Sequence, residues 1–204
     1  MEKKMFCYQC EQTAGCTGCT GNAGVCGKKA DTAKLQDELT GALIGLTRAV
    51  DGAETISTKT RQVILEGLFT TVTNVNFDNA AIENMIQKVR AEKERLVPDC
   101  SKCQAPCGRT DDYDMQQLWN ADEDIRSLKS LILFGIRGMA AYAYHANVLN
   151  YEDAEVDHFF CEALFKIGYE ESVETLLPTV LKVGEINLKC MALLDKANTE
   201  TYGT

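Results

Sequence analysis

The chain has 204 residues with a formal net charge of −9, and 45% of its residues are hydrophobic and 25% charged. These values are typical of a globular protein and argue against wholesale disorder, and the acidic balance argues against a nucleic-acid partner, which would need a basic surface. No apolar run approaches the length of a membrane span, and the amino end lacks the apolar stretch of a secretory signal. We therefore expect a cytoplasmic protein without nucleic-acid or membrane partners.

Residues 1–30 contain half of the ten cysteines of the chain and show no helical periodicity. Glycines separate these cysteines, and glycine suits a loop that wraps closely around another group. A cytosolic chain keeps its thiols reduced, so clustered cysteines more often bind metal than form disulfides. We interpret residues 1–30 as a metal-binding segment. Its cysteines are Cys7, Cys10, Cys16, Cys19 and Cys26.

Four of these cysteines have the spacing C-x2-C-x8-C-x6-C, namely Cys7, Cys10, Cys19 and Cys26. A cubane iron–sulfur cluster needs four converging thiolates, and a C-x2-C turn supplies two of them. Glycines let backbone N–H groups approach the sulfur atoms, and Lys28 and Lys29 would offset the negative charge. The spacing favours a [4Fe–4S] cluster, with a structural zinc site as the main alternative. Cys16 has three open interpretations: a ligand in place of Cys19, a spare thiol beside the cluster, or a thiol that acts in an oxidised form.

Residues 31–97 have helical apolar periodicity and predict a first three-helix unit. Capping residues and Pro98 set the expected boundaries. The predicted helices run from an Asp31 N-cap to about Val50, onward from Ser57 or Thr58, and from Asp78 to before Pro98.

Residues 98–120 are predicted to form a connecting loop with a second group of cysteines. Cys100, Cys103 and Cys107 have ligand-like spacing, but three thiols are one short of a closed tetrahedral site. A second metal site is therefore one interpretation, and free loop thiols or a local disulfide are the other.

Residues 121–204 predict a second three-helix unit, with helices after Asn120, over about 153–168 and over about 172–197. Pro178 predicts a kink, or a short helix followed by a long one. Short matches between the halves, such as ALIGL at 42–46 with ILFGI at 132–136, indicate a pseudo-repeat, although two unrelated amphipathic helices can share such matches. The expected fold class is all-α, with two three-helix bundles preceded by a Cys/Gly-rich cluster-binding loop.

Several stretches of the sequence follow the pattern of a known family, namely MFCYQCEQT (5–13), GCT (18–20), GVCGK (24–28), GMAAYA (138–143) and MALLD (191–195). In these stretches the sequence resembles the hybrid cluster proteins, which are also called prismane proteins or hydroxylamine reductases. The resemblance implies a helical first domain whose conventional cluster is held by Cys7, Cys10, Cys19 and Cys26. Family members with short spacing carry [4Fe–4S] there.

The chain departs from the family pattern at two points. Short-spacing members usually have five residues between the third and fourth ligands, whereas Cys19 and Cys26 are separated by six. Many members also have another residue where this chain has Cys16. The Gly-Cys-Thr context favours Cys19 as the third ligand.

The resemblance further implies an N-terminal electron-transfer domain of an enzyme that reduces hydroxylamine to ammonia and water. The catalytic hybrid cluster would be bound by later domains that this chain lacks. The partners would be those domains and a ferredoxin- or reductase-like electron donor, which the basic segment 1–30 would help to orient beside an acidic body. The alternatives are a stand-alone iron–sulfur redox or regulatory domain and a zinc-stabilised helical interaction module.

Overall fold

The computed structural model of the chain describes residues 5–10, 17–50, 56–72, 76–97 and 111–203. Within these residues the chain forms seven α-helices, together with an isolated antiparallel bridge between Cys7 and Cys19. The prediction of an all-α fold is confirmed. The helices are α1 (Ala30–Val50), α2 (Thr58–Thr70), α3 (Asn79–Leu96), α4 (Met115–Trp119), α5 (Glu123–Val148), α6 (Ala154–Tyr169) and α7 (Val173–Tyr202).

Polar side chains cap the helices close to the predicted boundaries. The side chains of Ser57, Asp78 and Asp153 accept hydrogen bonds from backbone N–H groups at the starts of α2, α3 and α6. The predicted N-cap of α1 is wrong by a small margin, because α1 begins at Ala30 and Asp31 lies in its first turn. The Asp31 carboxylate still accepts the next residue's N–H at 2.8 Å, and a negative charge is favourable there.

Two other features differ from the prediction. The short helix α4 lies within the segment 98–120, which was expected to be a loop throughout. Helix α7 runs without interruption through Pro178, so the chain does not divide there into a short and a long helix. Pro178 and Glu174 are both exposed, so water can bond the Glu174 carbonyl that the proline leaves without an N–H donor.

Helices from both predicted units contribute to one hydrophobic core. Helix α1 packs against α3 and α6, α2 packs against α5, and α5 packs against α7. Ile44 of α1 lies directly against Gly168 of α6, where a methyl group on the glycine would overlap the isoleucine. The division at 31–97 and 121–204, like the pseudo-repeat, stays a prediction. None of the helices described is long and apolar enough to span a membrane.

The segment before α4 crosses α1 at two glycines one turn apart. The Tyr113 N–H donates to the Gly41 carbonyl at 2.9 Å. A Cβ atom on Gly45 would lie 2.5 Å from the Asp111 carbonyl oxygen, and one on Gly41 would overlap the Tyr113 carbonyl. This close crossing brings α4, with Trp119 at its end, beside the described part of residues 1–30, which we call the cysteine segment (residues 5–10 and 17–30).

Candidate metal centre

Cys7 and Cys19 are held opposite each other by the backbone. The Cys7 N–H donates to the Cys19 carbonyl at 3.0 Å, and the Cys19 N–H donates to the Cys7 carbonyl at 2.8 Å. Both side chains are buried and pack against Ala30 and Ala33 in the first turn of α1. Because a helix N-terminus carries partial positive charge, this location favours a negatively charged sulfur.

Gly18 fits the chain into this pairing. Its φ is +81°, and an added Cβ would lie 3.0 Å from the Phe6 ring and 3.2 Å from the Cys7 carbonyl oxygen. A side chain is therefore disfavoured both by backbone conformation and by space. The Gly-Cys order at positions 18 and 19 follows from this geometry.

A tight turn surrounds Cys26, the most exposed of the four predicted ligands. The Gly24 N–H donates to the Lys28 carbonyl at 2.8 Å, and the Gly27 N–H donates to the Gly24 carbonyl at 2.9 Å. An added Cβ on Gly24 would lie 3.5 Å from the Cys26 sulfur. Cys26 is exposed and Cys10 is half-buried, so the four thiols extend from the protein interior to its surface.

A buried polar network fastens the cysteine segment to α1. The Gln9 amide donates to the Ala33 carbonyl at 3.1 Å and to the Asp37 carboxylate at 2.7 Å. The Lys28 ammonium donates to the Gln9 side-chain oxygen at 3.0 Å and also bonds the side-chain oxygen of Gln36. Both ends of the segment are thus tied to the same face of one helix.

The network contains one buried cation, and a second one acts on it from α5. Lys28, within the network, is 2% exposed, and Arg137 of α5 is 3% exposed. The Arg137 Nη2 donates to the Thr40 hydroxyl at 2.7 Å, whereas its Nε and Nη1 have no hydrogen-bond partner within the described ranges. Sequence reasoning had identified Lys28 as a compensating charge but had missed Arg137. The available signal was a charged residue between Leu133 and Ala140 on the apolar stripe of α5.

The charges near the cysteines influence one another. Burial raises the pKa of the Cys7 thiol, and the Gln9 backbone N–H and the Lys28 charge oppose this rise. Burial also raises the pKa of Asp37 to about 6, although the hydrogen bond from Gln9 and the charge of Arg137 favour its ionised form. Burial lowers the pKa of Arg137 to about 10 against the attraction of Asp37, Cys7 and Cys10.

Aromatic rings support the segment around Cys7. The Trp119 ring lies edge-on to Phe6 at a centroid distance of 6.0 Å and to Tyr8 at 5.6 Å. The sequence had suggested that Trp119 packs in the core or between bundles. The structure places it against Phe6 and Tyr8, the residues on either side of Cys7.

The four predicted ligands lie within the described residues, and none of them forms a disulfide. The alternative ligand Cys16 and the second group, Cys100, Cys103 and Cys107, lie outside them. Searching the described ranges finds no group of three or more Cys, His, Asp or Glu side chains arranged to hold a single metal ion. The ligand set therefore stays a prediction.

The surroundings of the cysteines fit a bound anionic group. The cations Lys28 and Arg137 are buried beside them, and two guanidinium nitrogens have no hydrogen-bond partner in the part of the chain described. Gly24 leaves space next to the Cys26 sulfur that a side chain would occupy, since an added Cβ would lie 3.5 Å from that sulfur. A cluster bound by four thiolates is such an anionic group.

Comparison with known proteins identifies the family to which the chain is similar and several similar proteins. Residues 5–204 match the family described as Prismane/CO dehydrogenase. The hydroxylamine reductase of Porphyromonas gingivalis is 41% identical over 224 residues, covering 100% of this chain and 40% of the relative. Those of Methanococcus vannielii and Acetivibrio thermocellus are 39% and 42% identical, each covering 98% of this chain and 40% and 39% of the relative. The chain thus spans about 40% of the length of these relatives.

Proposed function

The chain belongs to the Prismane/CO dehydrogenase family, and we propose that it is the N-terminal electron-transfer domain of a hydroxylamine reductase. In this proposal Cys7, Cys10, Cys19 and Cys26 hold a [4Fe–4S] cluster. The main support is the backbone pairing of Cys7 with Cys19 beside the buried cations. When bound, the cluster supplies reversible one-electron transfer.

The residues around the cysteines have distinct roles in this proposal. Gln9 and Lys28 hold the two ends of the ligand segment on α1. Gly24 keeps a side chain away from the Cys26 sulfur, Gly18 allows the backbone pairing of Cys7 with Cys19, and the buried cations offset the charge of the thiolates. Because thiols must lose their protons to become ligands, a positive environment favours assembly of the site.

The electron donor approaches at the exposed turn around Cys26 in this proposal. Val25 and Cys26 are both exposed there, so a donor protein can come close to the ligand segment. A ferredoxin- or reductase-like protein is the expected donor. Lys29 is exposed and could attract an acidic donor, whereas the buried Lys28 serves the internal network.

We assign the reduction of hydroxylamine to the part of a full-length enzyme that this chain does not span. One hydroxylamine takes up two electrons and two protons to give ammonia and water, whereas a cubane passes one electron at a time. The hybrid-cluster domains would therefore collect two electrons delivered in succession. The 204-residue chain alone should not reduce hydroxylamine, and native-like turnover by it would contradict this division of labour.

Anaerobic purification followed by iron, sulfide and zinc analysis tests the proposed cofactor. We expect about four iron atoms and four sulfides per chain, and an EPR signal after one-electron reduction. Zinc without iron would instead support the zinc-stabilised helical module. About eight iron atoms would indicate a second site, for which Cys100, Cys103 and Cys107 are the candidates.

Single cysteine-to-alanine variants test the proposed ligands. Cys7→Ala, Cys10→Ala, Cys19→Ala and Cys26→Ala should each lower the iron content. Cys190→Ala is the matched control, because this thiol is buried in the core and donates to the Met139 carbonyl at 3.3 Å. A Cys16→Ala variant that loses iron while Cys19→Ala retains it would replace Cys19 by Cys16 in the ligand set.

A further inference from the structure

The guanidinium of Arg137 has donors that the described protein does not use. Its side chain is 3% exposed, and among the described residues its guanidinium donates one hydrogen bond, at 2.7 Å, from Nη2 to the Thr40 hydroxyl. Nε and Nη1 are buried and have no partner among the described residues. A buried cation without a bonded counter-charge is strongly unfavourable. The buried Arg137 charge therefore calls for a negative group that compensates it.

The ionisable groups whose negative forms would favour the Arg137 charge are one carboxyl, Asp37, and two cysteines, Cys7 and Cys10. Burial raises the pKa of Asp37 to about 6, so this carboxyl is mostly ionised at neutral pH and compensates part of the Arg137 charge, and it accepts a hydrogen bond from the Gln9 amide at 2.7 Å. The Lys28 ammonium already bonds the side chains of Gln9 and Gln36. Arg137 is thus a buried cation with unused donors that is anchored on α1 at Thr40, one turn from the Gln36 side chain that bonds Lys28. Its charge acts on Cys7 and Cys10.

We propose that Arg137 compensates the charge of the cysteine-bound centre and thereby raises its reduction potential, an inference that rests on the function proposed above. Reduction adds one negative charge to a cluster that is already anionic with four thiolate ligands. A fixed positive charge in a low-dielectric interior stabilises the reduced form more than the oxidised form. Loss of the Arg137 charge should therefore shift the equilibrium toward the oxidised form.

Lys129 provides a matched control on the same helix. It precedes Arg137 by about two turns of α5 and is 2% exposed. Burial lowers the pKa of Lys129, and the charges that oppose this shift are those of Glu171 and Glu170 rather than those of the cysteines. Lys129→Met thus removes a buried cation from α5 without removing the charge that acts on the cysteine segment.

The experiment is an anaerobic redox titration, monitored by EPR, of wild type, Arg137→Met, Arg137→Lys and Lys129→Met with iron contents matched. At the wild-type midpoint potential, Arg137→Met should lower the ratio of reduced to oxidised cluster at least tenfold, which corresponds to a shift of about 59 mV. The Lys129→Met and Arg137→Lys ratios should stay within about threefold of wild type, because the charge near the cysteines is kept. An unchanged potential in iron-replete Arg137→Met would overturn the inference.

A second measurement does not depend on the folding of a charge-deleted variant. Wild-type protein containing arginine with ¹⁵N-labelled guanidinium should show a ¹⁵N hyperfine coupling to the reduced cluster, and the labelled Arg137→Lys variant should lack it. Absence of this coupling in wild type would also overturn the inference. An unchanged potential or an absent coupling would leave the proposed function intact. Wild-type protein that binds zinc or no iron would overturn both the proposed function and the inference about Arg137.

Discussion

At the residue scale, Gly18 is the glycine that tolerates a side chain least among the described glycines of the cysteine segment. We expect Gly18→Ala to lower the free energy of unfolding by about 1–3 kcal/mol, because the left-handed backbone adds strain and the new methyl group meets Phe6 and Cys7. Denaturant titration under anaerobic conditions measures this change. Iron content after reconstitution should fall in parallel, since the displaced backbone carries Cys19.

Substitutions at two other glycines show how much of the Gly18→Ala effect comes from backbone strain and how much from steric contact. Gly27 has φ +85° but no atom within 4 Å of an added Cβ, so Gly27→Ala should cost only about 1 kcal/mol of strain. Gly21 has no positive φ, and its nearest neighbour would be 3.8 Å away, so Gly21→Ala should change stability by less than about 0.5 kcal/mol. Equal changes in the free energy of unfolding for Gly18→Ala and Gly21→Ala would show that the pairing of Cys7 with Cys19 does not require glycine at position 18.

Glu92 is a buried carboxylate whose partners come from two helices. Arg95 donates to it through two nitrogens, at 3.0 and 2.6 Å, and the Thr60 hydroxyl donates at 2.7 Å. The hydrogen bonds from Arg95, followed by those from Thr60 and Lys59, lower the pKa of Glu92 to about 2. Because Arg95 and Lys59 are partly in solvent, we expect Glu92→Gln to cost only about 1–2 kcal/mol at neutral pH.

The pH dependence of this cost follows from the direction of the shift. The folded pKa of Glu92 is about 2 and the reference value is 4.5, so the ionised carboxylate stabilises the fold above about pH 4.5. That contribution is lost as the pH falls from about 4.5 to about 2. The difference in unfolding free energy between wild type and Glu92→Gln should shrink over this range. A difference that stays constant would contradict the assigned pKa.

The predictability of the candidate site varied with residue type. Cysteine spacing and the interspersed glycines predict a metal-binding segment, because few other functions need those residues at those intervals, and this stays a prediction. Gln9 and Arg137 were not predicted, since their roles depend on contacts with α1 that are distant in sequence. Lys28 was predicted as a charge near the site, but not as a buried donor to two glutamines.

At the scale of elements, the crossing of α1 by residues 111–113 depends on two helical glycines. Alanine normally stabilises a helix by up to about 1 kcal/mol relative to glycine. At Gly41 and Gly45 the added Cβ meets the carbonyl oxygens of Tyr113 and Asp111, which belong to backbone and cannot rotate away. We therefore expect Gly41→Ala and Gly45→Ala each to destabilise the fold by about 1–3 kcal/mol. In a denaturant titration this appears as a lower midpoint concentration with an unchanged m-value.

Gly184 of α7 is the matched control for these substitutions. No atom lies within 4 Å of its added Cβ, so Gly184→Ala should stabilise the protein by up to about 1 kcal/mol. Stability changes of opposite sign, a loss for Gly41→Ala and a gain for Gly184→Ala, would support the close crossing over α1. Stabilisation by Gly41→Ala would mean that residues 111–113 do not approach this helix.

Helix boundaries were predicted well where the sequence contains strong local signals. Ser57 and Asp78 mark the starts of α2 and α3 through their own side-chain hydrogen bonds. Helix α4 is five residues long and too short to show an apolar repeat. The continuity of α7 through Pro178 depends on exposure of the affected carbonyl, which is set by how α7 packs on α5.

At the scale of the whole molecule, the shared core predicts that both predicted three-helix units unfold together. Ile44 is fully buried in α1 and packs against Gly168 of α6. Ile44→Ala should therefore destabilise the chain by about 2–5 kcal/mol and lower the stability of both units. Far-UV circular dichroism reports the helices, and Trp119, the one tryptophan of the chain, reports the region beside the cysteines.

An anaerobic denaturation series with both probes tests this cooperativity. Wild type and Ile44→Ala should each show coincident transitions by circular dichroism and by Trp119 fluorescence, with both midpoints lower in the variant. Leu181→Ala is the control, because Leu181 is 70% exposed on α7 and its loss should change stability by less than about 0.5 kcal/mol. If the two probes separate, and Ile44→Ala shifts only one of them, the units fold independently despite their contacts. In that case the cysteine segment could stay folded on α1 while α5 detaches, which would remove Arg137 from it.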